Sequence, residues 1–541
     1  MTTSPFLRAA NQPPPLEDYD AYAENLPLVE AVRREGGGWA AERLAALGRL
    51  SGGPLLEQGR LANEHPPVLR THDRFGERID EVEFHPAWHE LLRTGVEHAV
   101  QCLPWSEPRA GAHVARAAAM ITLSTAEAGV ACPLSMTFAA VPALRAEPDL
   151  AAAWAPLLAS TAYEPELRPP SEKAGVLCGM AMTERQGGSD VRANETRAEP
   201  LADGTALLTG EKWFCSAPMS DAFLVLAQAP AGLTCYLLPR VLPDGSRNAF
   251  HLERLKDKLG NRSNASAEVS LAGASASRVG EEGRGVPTII EMVVHTRLDC
   301  VLGSTALMRR AVAEATHHAA HRVAFGRLLA DQPLMQNVLA DLCLEAEAAT
   351  VLALRLARSF DEDDQAFRRL ATAIAKYWVC KSTPPLVAEA LECLGGNGYV
   401  EESALPRLYR ESPVNSVWEG SGNVICLDVL RALQREEESL EAVRTELRLA
   451  AGGDRRLDVA VADLEAELAD PDDREPRARV LVEHLALCLQ AALLVRHAPP
   501  EVADAFCASR LAGRSGRLYG TLPAGVDTTA VVERHRPRAS R

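Results

Sequence analysis

Glu419 is the carboxylate best placed for proton chemistry. It lies in Asn415-Ser416-Val417-Trp418-Glu419-Gly420-Ser421-Gly422-Asn423, between an indole and a glycine. The four turn formers after it can gather backbone N–H groups near one point. The apolar run Val424 to Leu430 follows at helical spacing, which predicts that Glu419 stands at the mouth of a helix. An aromatic wall strips water from a carboxylate, favours its protonated form and moves its pKa toward neutrality, as a general base requires. Taken alone the stretch reads as a loop glutamate with local hydrogen bonds, and the other motifs give it a chemical role.

Two further stretches have parts that suit a flavin. Met182-Thr183-Glu184-Arg185-Gln186-Gly187-Gly188-Ser189-Asp190-Val191 combines close-approach glycines with small hydroxyls, and Glu211-Lys212-Trp213-Phe214-Cys215-Ser216 sets aromatic rings beside another hydroxyl. A flavin needs an aromatic face along its ring, donors to its polar edge, and small residues where backbone nears the pyrophosphate. Singly, each stretch also reads as a turn or a core aromatic.

The elements that position these groups follow from composition and texture. A chain of 541 residues exceeds one core and predicts three or four domains. Its 47% hydrophobic and 24% charged residues are a globular composition, and its net charge of -16 argues against wholesale nucleic-acid binding. No signal core and no apolar stretch long enough for a bilayer is evident, so a cytoplasmic protein with no membrane partner is expected. The 12 cysteines form no C-x-x-C pair and read as reduced core thiols, which also leaves the sequons at Asn261 and Asn264 unused.

Leu26 to Ala152 reads mainly as helix, and Val176 to about Val279 as short strands and turns. From Val286 to about Leu433 the pattern is again helical, broken at a solvated inter-helix loop, Asp361-Glu362-Asp363-Asp364. The segment after it is helical and rich in arginine. The fold class is therefore mainly α with a central β-barrel. Its expected segments are an N-terminal helical domain (1–177), a barrel (178–285), a helical bundle (286–433) and an added C-terminal helical domain (434–541). Without β-α-β alternation, Gly280, Gly283 and Gly285 are weak evidence for a dinucleotide site. His317, His318 and His321 lack an acidic partner at ligand spacing and read as a solvated or stacking helix face, so no metal is expected.

In order, these motifs resemble the acyl-CoA dehydrogenase family of flavoproteins. The resemblance rests on M-T-E-x-x-x-G-S-D (Met182 to Asp190), K-x-aromatic-x-hydroxyl (Lys212 to Ser216), K-x-K-L-G (Lys256 to Gly260), R-x-x-F-G (Arg322 to Gly326), G-G-x-G-aromatic (Gly395 to Tyr399) and aromatic-E-G-[ST] (Trp418 to Ser421). It implies a helical domain, a β-barrel and a four-helix bundle, assembled as a homotetramer with FAD between barrel and bundle. It also implies that Met182, Thr183, Gly188, Ser189, Phe214, Cys215, Ser216, Gly395, Gly396, Ser421 and Asn423 hold FAD, joined by Arg322 and Phe325 of a neighbouring subunit. Glu419 would take the α-proton of an acyl thioester.

More narrowly, Gly187 to Asp190, Lys256 to Ser266 and Trp418 to Asn423 resemble a branch of the family tied to the bacterial response to DNA alkylation, and that resemblance extends over the C-terminal segment. It implies contact with double-stranded DNA and at most weak dehydrogenase activity of the isovaleryl-CoA type. Three departures count against efficient acyl-CoA turnover or an alternative base: Val294 replaces an aspartate near the CoA adenine end, Glu392 a glutamine, and Thr296 the glutamate of the branched-chain subclass. The rival readings are an ordinary metabolic acyl-CoA dehydrogenase and a nitroalkane oxidase, the latter disfavoured because its base is an aspartate. DNA contact would fall to Arg510, Arg514, Arg517, Arg534, Arg536 and Arg538, which face only Asp527 and Glu533 in the same stretch. On composition alone they form a solvated tail.

Overall fold

The computed structural model describes residues 11–538 except 471, 473 and 514. Arg514, expected at a DNA contact, therefore lies outside the described residues. The chain divides into two compact units, one made of Gly36–Leu47 and Pro54–Gly303 and the other of Met1–Glu35, Gly48–Gly53 and Ser304–Arg541.

The first unit combines N-terminal helices with a closed strand barrel. Helices Ala112–Ser124 and Ala131–Leu144 are buried almost throughout, as all-round apolar helices must be. Arg116 is buried with them. Its guanidinium pairs with Asp299 of the helix Gly285–His321, donates to the Val100 carbonyl at 2.9 Å and lies 3.9 Å over the Phe138 ring.

An exception to the expected helical stretch is a hairpin of β1 (Val68–His72) and β2 (Arg78–Glu83), turned at Asp73 to Gly76. Asp73 Oδ1 accepts from the Phe75 and Glu77 backbone, a turn that competes with helix.

Seven strands form the barrel sheet: β3 (Cys178–Ala181), β4 (Arg197–Pro200), β5 (Thr205–Ser216), β6 (Ala222–Ala229), β7 (Gly232–Pro239), β8 (Phe250–Leu255) and β9 (Ser266–Val279). Pairings run β6–β4–β5–β9–β7 and return from β7 to β6, closing the ring, while β3 adds to β6 and β8 to β9. Alternation on β5 and β9 sends Leu208, Cys215, Ala267, Val269 and Leu271 into the barrel core with Phe223 and Phe250. Closure leaves the ring strands without free edges.

In the second unit the helices Pro333–Asp361 and Gln365–Cys393 are joined by the acidic loop that the charge run predicts, with Asp364 capping the second helix through its bond from the Phe367 N–H. The 24-residue helix Arg474–His497 corrects one expectation. It is long and apolar enough to cross a bilayer, yet 72% of its apolar window is buried within the fold. Leu481, Val482, Leu485 and Leu489 are among its buried residues, as expected of a core helix.

The three histidines lie on one helix without a metal cluster among the described residues. His317 and His321 rings sit 4.4 Å apart, and burial pushes His318 down to about 4. The His317 and His321 rings are tilted by 44° and not stacked, and His317 and His318 are buried rather than solvated. Asn261 and Asn264 are also buried, and all 12 cysteines are buried thiols outside any disulfide.

The C-terminal segment is tied into this unit by charge. Glu347, on Pro333–Asp361, is 2.9 Å from His535 Nε2 and 3.0 Å from Arg534, both on the helix Thr528–His535. Burial alone would raise the Glu347 carboxyl. Hydrogen bonds from His535 and Arg534, together with the Arg534 charge, outweigh it and hold the carboxyl below its ordinary range. As an anion Glu347 can only accept, so His535, kept neutral by burial, donates its Nε2 hydrogen. We predict that Glu347→Gln lowers stability by about 3–5 kcal/mol, the usual cost of breaking a buried pair, measured by denaturant unfolding. Because the folded pKa lies below the unfolded one, this stabilisation is present above about pH 4.3 and is lost as pH falls through the folded value. The variant's stability should therefore decline less than the parent's on acidification, and parallel decline would contradict the assignment.

Candidate functional site

Within the barrel, a buried ion pair holds together the two motifs expected to line a flavin. Lys212 Nζ is 2.7 Å from Glu184 Oε1 and donates to the Leu226 carbonyl of β6 at 2.7 Å, with the two side chains 0% and 3% exposed. Glu184 also accepts from the Glu195 N–H at 2.5 Å and the Thr196 N–H at 3.2 Å. Burial would raise the Glu184 carboxyl, but the bonds from Lys212 and Thr196 hold it below the ordinary carboxylate range. The Trp213 N–H donates to the Thr183 carbonyl at 2.8 Å, tying the two motifs directly.

Around that anchor the β5–β9 register slips between Lys212 and Cys215, and Phe214 takes a left-handed φ of 57°. A bulge re-aims side chains: here Phe214 becomes exposed, Cys215 points into the core, and Ser216 lies opposite Ser266 with hydroxyl oxygens 3.2 Å apart. Cys215 thus departs from its expected role, because its thiol is enclosed in apolar surroundings and pushed up to about 12 by burial. Only its backbone can meet a ligand. Met182 and Thr183 are half-buried, while Gly188 and Ser189 are exposed. A Cβ on Gly188 would stand 2.5 Å from the Thr183 hydroxyl, so glycine is required for the loop to fold over that threonine. An exposed ring, neutral hydroxyls and a loop too close for a side chain suit a flat, aromatic, polar-edged cofactor such as a flavin.

In the other unit Glu419 has a left-handed φ of 57°, unusual for glutamate, and precedes the helix Gly422–Arg435, as its sequence predicts. Trp418 Nε1 donates to Asn415 at 3.0 Å, fixing the indole beside it. The buried Lys376 donates its ammonium hydrogen to the Gly420 carbonyl, bracing the turn from beneath. Sequence reasoning missed Lys376, whose signal is a lone lysine in the apolar run Ala371 to Val379. It also missed Arg479, which reaches from Arg474–His497 to Asn423 Oδ1 at 2.9 Å.

Gly395 and Gly396 are exposed with open space around them, and Gly395 has a φ of 58°. Arg322 donates to the Asn11 carbonyl at the base of the hairpin Val323–Ala324 and Arg327–Leu328, whose tip carries Phe325 at 98% exposure.

The arginines expected to contact DNA divide. Arg510 pairs with Asp341 at 2.6 Å and Glu345 at 3.4 Å, and Arg534 with Glu347 and Glu30, the two arginine side chains being 14% and 11% exposed. Both are neutralised within the fold, which removes them as free phosphate donors. Arg536 pairs with Glu533 at 2.8 Å and stays partly exposed, whereas Arg517 and Arg538 are exposed.

Comparisons with known proteins agree with this architecture. Three family models match: the adaptive response protein AidB N-terminal domain over residues 11–165, the acyl-CoA dehydrogenase middle domain over 179–274, and the acyl-CoA dehydrogenase C-terminal domain over 283–434. The chain is 48% identical to the putative acyl-CoA dehydrogenase AidB of Escherichia coli (strain K12) over 94% of both proteins. It is 32% identical to acyl-CoA dehydrogenase family member 11 of Caenorhabditis elegans, over 81% of this chain and 77% of that protein. The crystal structure of C. elegans ACDH-11 in complex with C11-CoA superposes with a TM-score of 0.85 at 28% identity, covering 93% of each chain.

The ion pair makes a quantitative prediction. Lys212→Met, which strands a buried carboxylate, should cost about 3–5 kcal/mol in chemical unfolding, and the double variant with Glu184→Met should recover much of the loss. A double variant no more stable than Lys212→Met would show that the pair is not the anchor.

Proposed function

The chain belongs to the acyl-CoA dehydrogenase family of FAD-dependent oxidoreductases, and on that premise we propose an AidB-type flavoprotein that contacts DNA in the response to alkylation damage and retains weak acyl-CoA dehydrogenase activity. The observation that carries the catalytic half is Glu419, held in a left-handed turn by Lys376 and Trp418 at the start of a helix. In this reading Glu419 removes the α-proton of a short or branched acyl thioester. Met182, Thr183, Gly188, Ser189, Phe214 and Ser216, with the Cys215 backbone, hold FAD, as do Gly395, Gly396, Ser421 and Asn423. Arg322 and Phe325 serve the FAD of a neighbouring subunit in a homotetramer, for which the fully presented Phe325 ring is the supporting feature. Bound FAD supplies the hydride acceptor.

The segments 1–177, 178–285, 286–433 and 434–541, and a cytoplasmic location, belong to the same proposal. The likeness to ACDH-11, whose structure holds C11-CoA, favours an acyl-CoA ligand. It also supports the second reading, an ordinary metabolic acyl-CoA dehydrogenase.

Anaerobic mixing with a panel of acyl-CoAs, following flavin bleaching, separates the two. Slow bleaching supports the first reading and rapid bleaching the second. Glu419→Gln keeps shape but cannot accept the proton, so bleaching should slow by roughly two to four orders of magnitude with FAD still bound. Parent-like bleaching would place the base elsewhere.

For DNA, Arg517→Glu combined with Arg538→Glu should weaken duplex binding and lessen its salt dependence, by roughly one unit of slope for each phosphate that is no longer engaged. Arg510 and Arg534 are unsuitable probes because their removal would disturb folding. Fluorescence anisotropy across a salt series reads the effect, and unchanged affinity would remove the DNA role from these arginines.

A further inference from the structure

We infer that Lys258 fixes the direction of the Ser216 hydroxyl through Ser266, making it a positioning residue for the flavin; this rests on the reading that Ser216 faces FAD. Ser216 ends β5 and Ser266 begins β9, and the two are direct partners across the antiparallel pair, with hydroxyl oxygens 3.2 Å apart. Directly opposed residues present their side chains on one face. Behind Ser266 stands Lys258, from the loop joining β8 to β9, with Nζ 3.1 Å from Ser266 Oγ.

The ammonium is held in place. It also donates to the Asn264 carbonyl at 2.6 Å and reaches Asn261 Oδ1 at 3.5 Å. Asn264 Nδ2 binds Asn261 Oδ1 at 3.0 Å, and Ser263 donates to the buried Glu127 at 2.7 Å, anchoring the loop on the helical part of the same unit. Gly129 leaves the space for that bond, since a Cβ there would lie 2.0 Å from the Ser263 hydroxyl. The family motif over Lys256 to Ser266, otherwise without a function, thereby acquires one.

The direction follows from the donors present and from the charge behind them. An ammonium has three donors and no acceptor, and a hydroxyl has one hydrogen. Ser266 must accept from Lys258, and a hydroxyl already accepting from a cation is the better donor of the pair, so its own hydrogen goes to Ser216. Ser216 then accepts from Ser266 and sends its hydrogen away from the barrel pair, toward the ligand side. A cation at the head of such a chain polarises each successive hydroxyl. With FAD in place, the arrangement keeps a donor aimed at the isoalloxazine and a positive charge behind it, which favours the electron-rich reduced flavin. Without Lys258 either serine can donate to the other, and the Ser216 hydrogen can turn back.

The test uses full-length protein loaded with FAD. It compares the midpoint potential, visible spectrum and thermal midpoint of the parent, Ser216→Ala, Ser266→Ala, Lys258→Met and the Lys258→Met/Ser266→Ala pair. Lys258→Met and Ser266→Ala should each lower the ratio of reduced to oxidised FAD at fixed poise by roughly tenfold, about 30 mV for a two-electron couple. Their combination should add little, because both act through one chain. A loop that had merely loosened would lower the thermal midpoint without moving the potential, which would overturn the relay. If Ser216→Ala leaves potential and spectrum at parent values, Ser216 does not face the flavin and the premise fails. If Ser216→Ala moves them while Lys258→Met and Ser266→Ala do not, the premise stands and the relay is wrong.

Discussion

The barrel depends on burying one ammonium and one carboxylate together. Dehydrating either ion costs several kcal/mol, and mutual attraction offsets this only when the remaining donors and lone pairs are also used. Lys212 and Glu184 meet that condition by recruiting the Leu226 carbonyl and the backbone N–H groups of Glu195 and Thr196. Three stretches of chain are thereby locked to β5 at one point. The residues on either side of the pair are Thr183, Trp213, Phe214 and Ser216. Their placement is inherited from this electrostatic knot, so the groups proposed to face the flavin are set before it arrives.

A second set of charges works in the same way in the other unit. Arg309 donates to the carbonyls of His535 and Glu24, 2.7 and 2.8 Å away, while Arg534 bridges Glu347 and Glu30. The last helix and the first helical segment are therefore fastened to the same bundle helices. An arginine-rich terminus that looks detachable in the sequence is partly a clamp. Positive charge on a terminal segment measures nucleic-acid affinity only after the internally paired guanidiniums have been set aside.

Much of this is legible in the sequence where local rules suffice. Helical and alternating periodicity locates the barrel between helical stretches, the acidic run marks the inter-helix loop, and Glu419 stands at the start of its helix as the turn formers imply. What escapes depends on long-range partners. The β1–β2 hairpin is short and highly charged, so its apolar alternation is weak. Cys215 sits inside because a bulge shifts the side-chain phase, which composition cannot register. The acids that neutralise Arg510 and Arg534 lie more than 160 positions away. The apolar window of Arg474–His497 meets the membrane criterion because burial against protein and burial in lipid select the same residues.

The burial of every cysteine has a chemical consequence. Thiol reactivity belongs to the thiolate, and desolvation pushes Cys102 and Cys426 up to about 11 and Cys235, Cys393, Cys488 and Cys507 up to about 12. At neutral pH these sulfurs are protonated as well as enclosed. Oxidants and electrophiles that select an exposed thiolate find none among these sulfurs. Enclosed in this way, the thiols act as small hydrophobic spacers, and cysteine contributes packing to the fold without adding a reactive site.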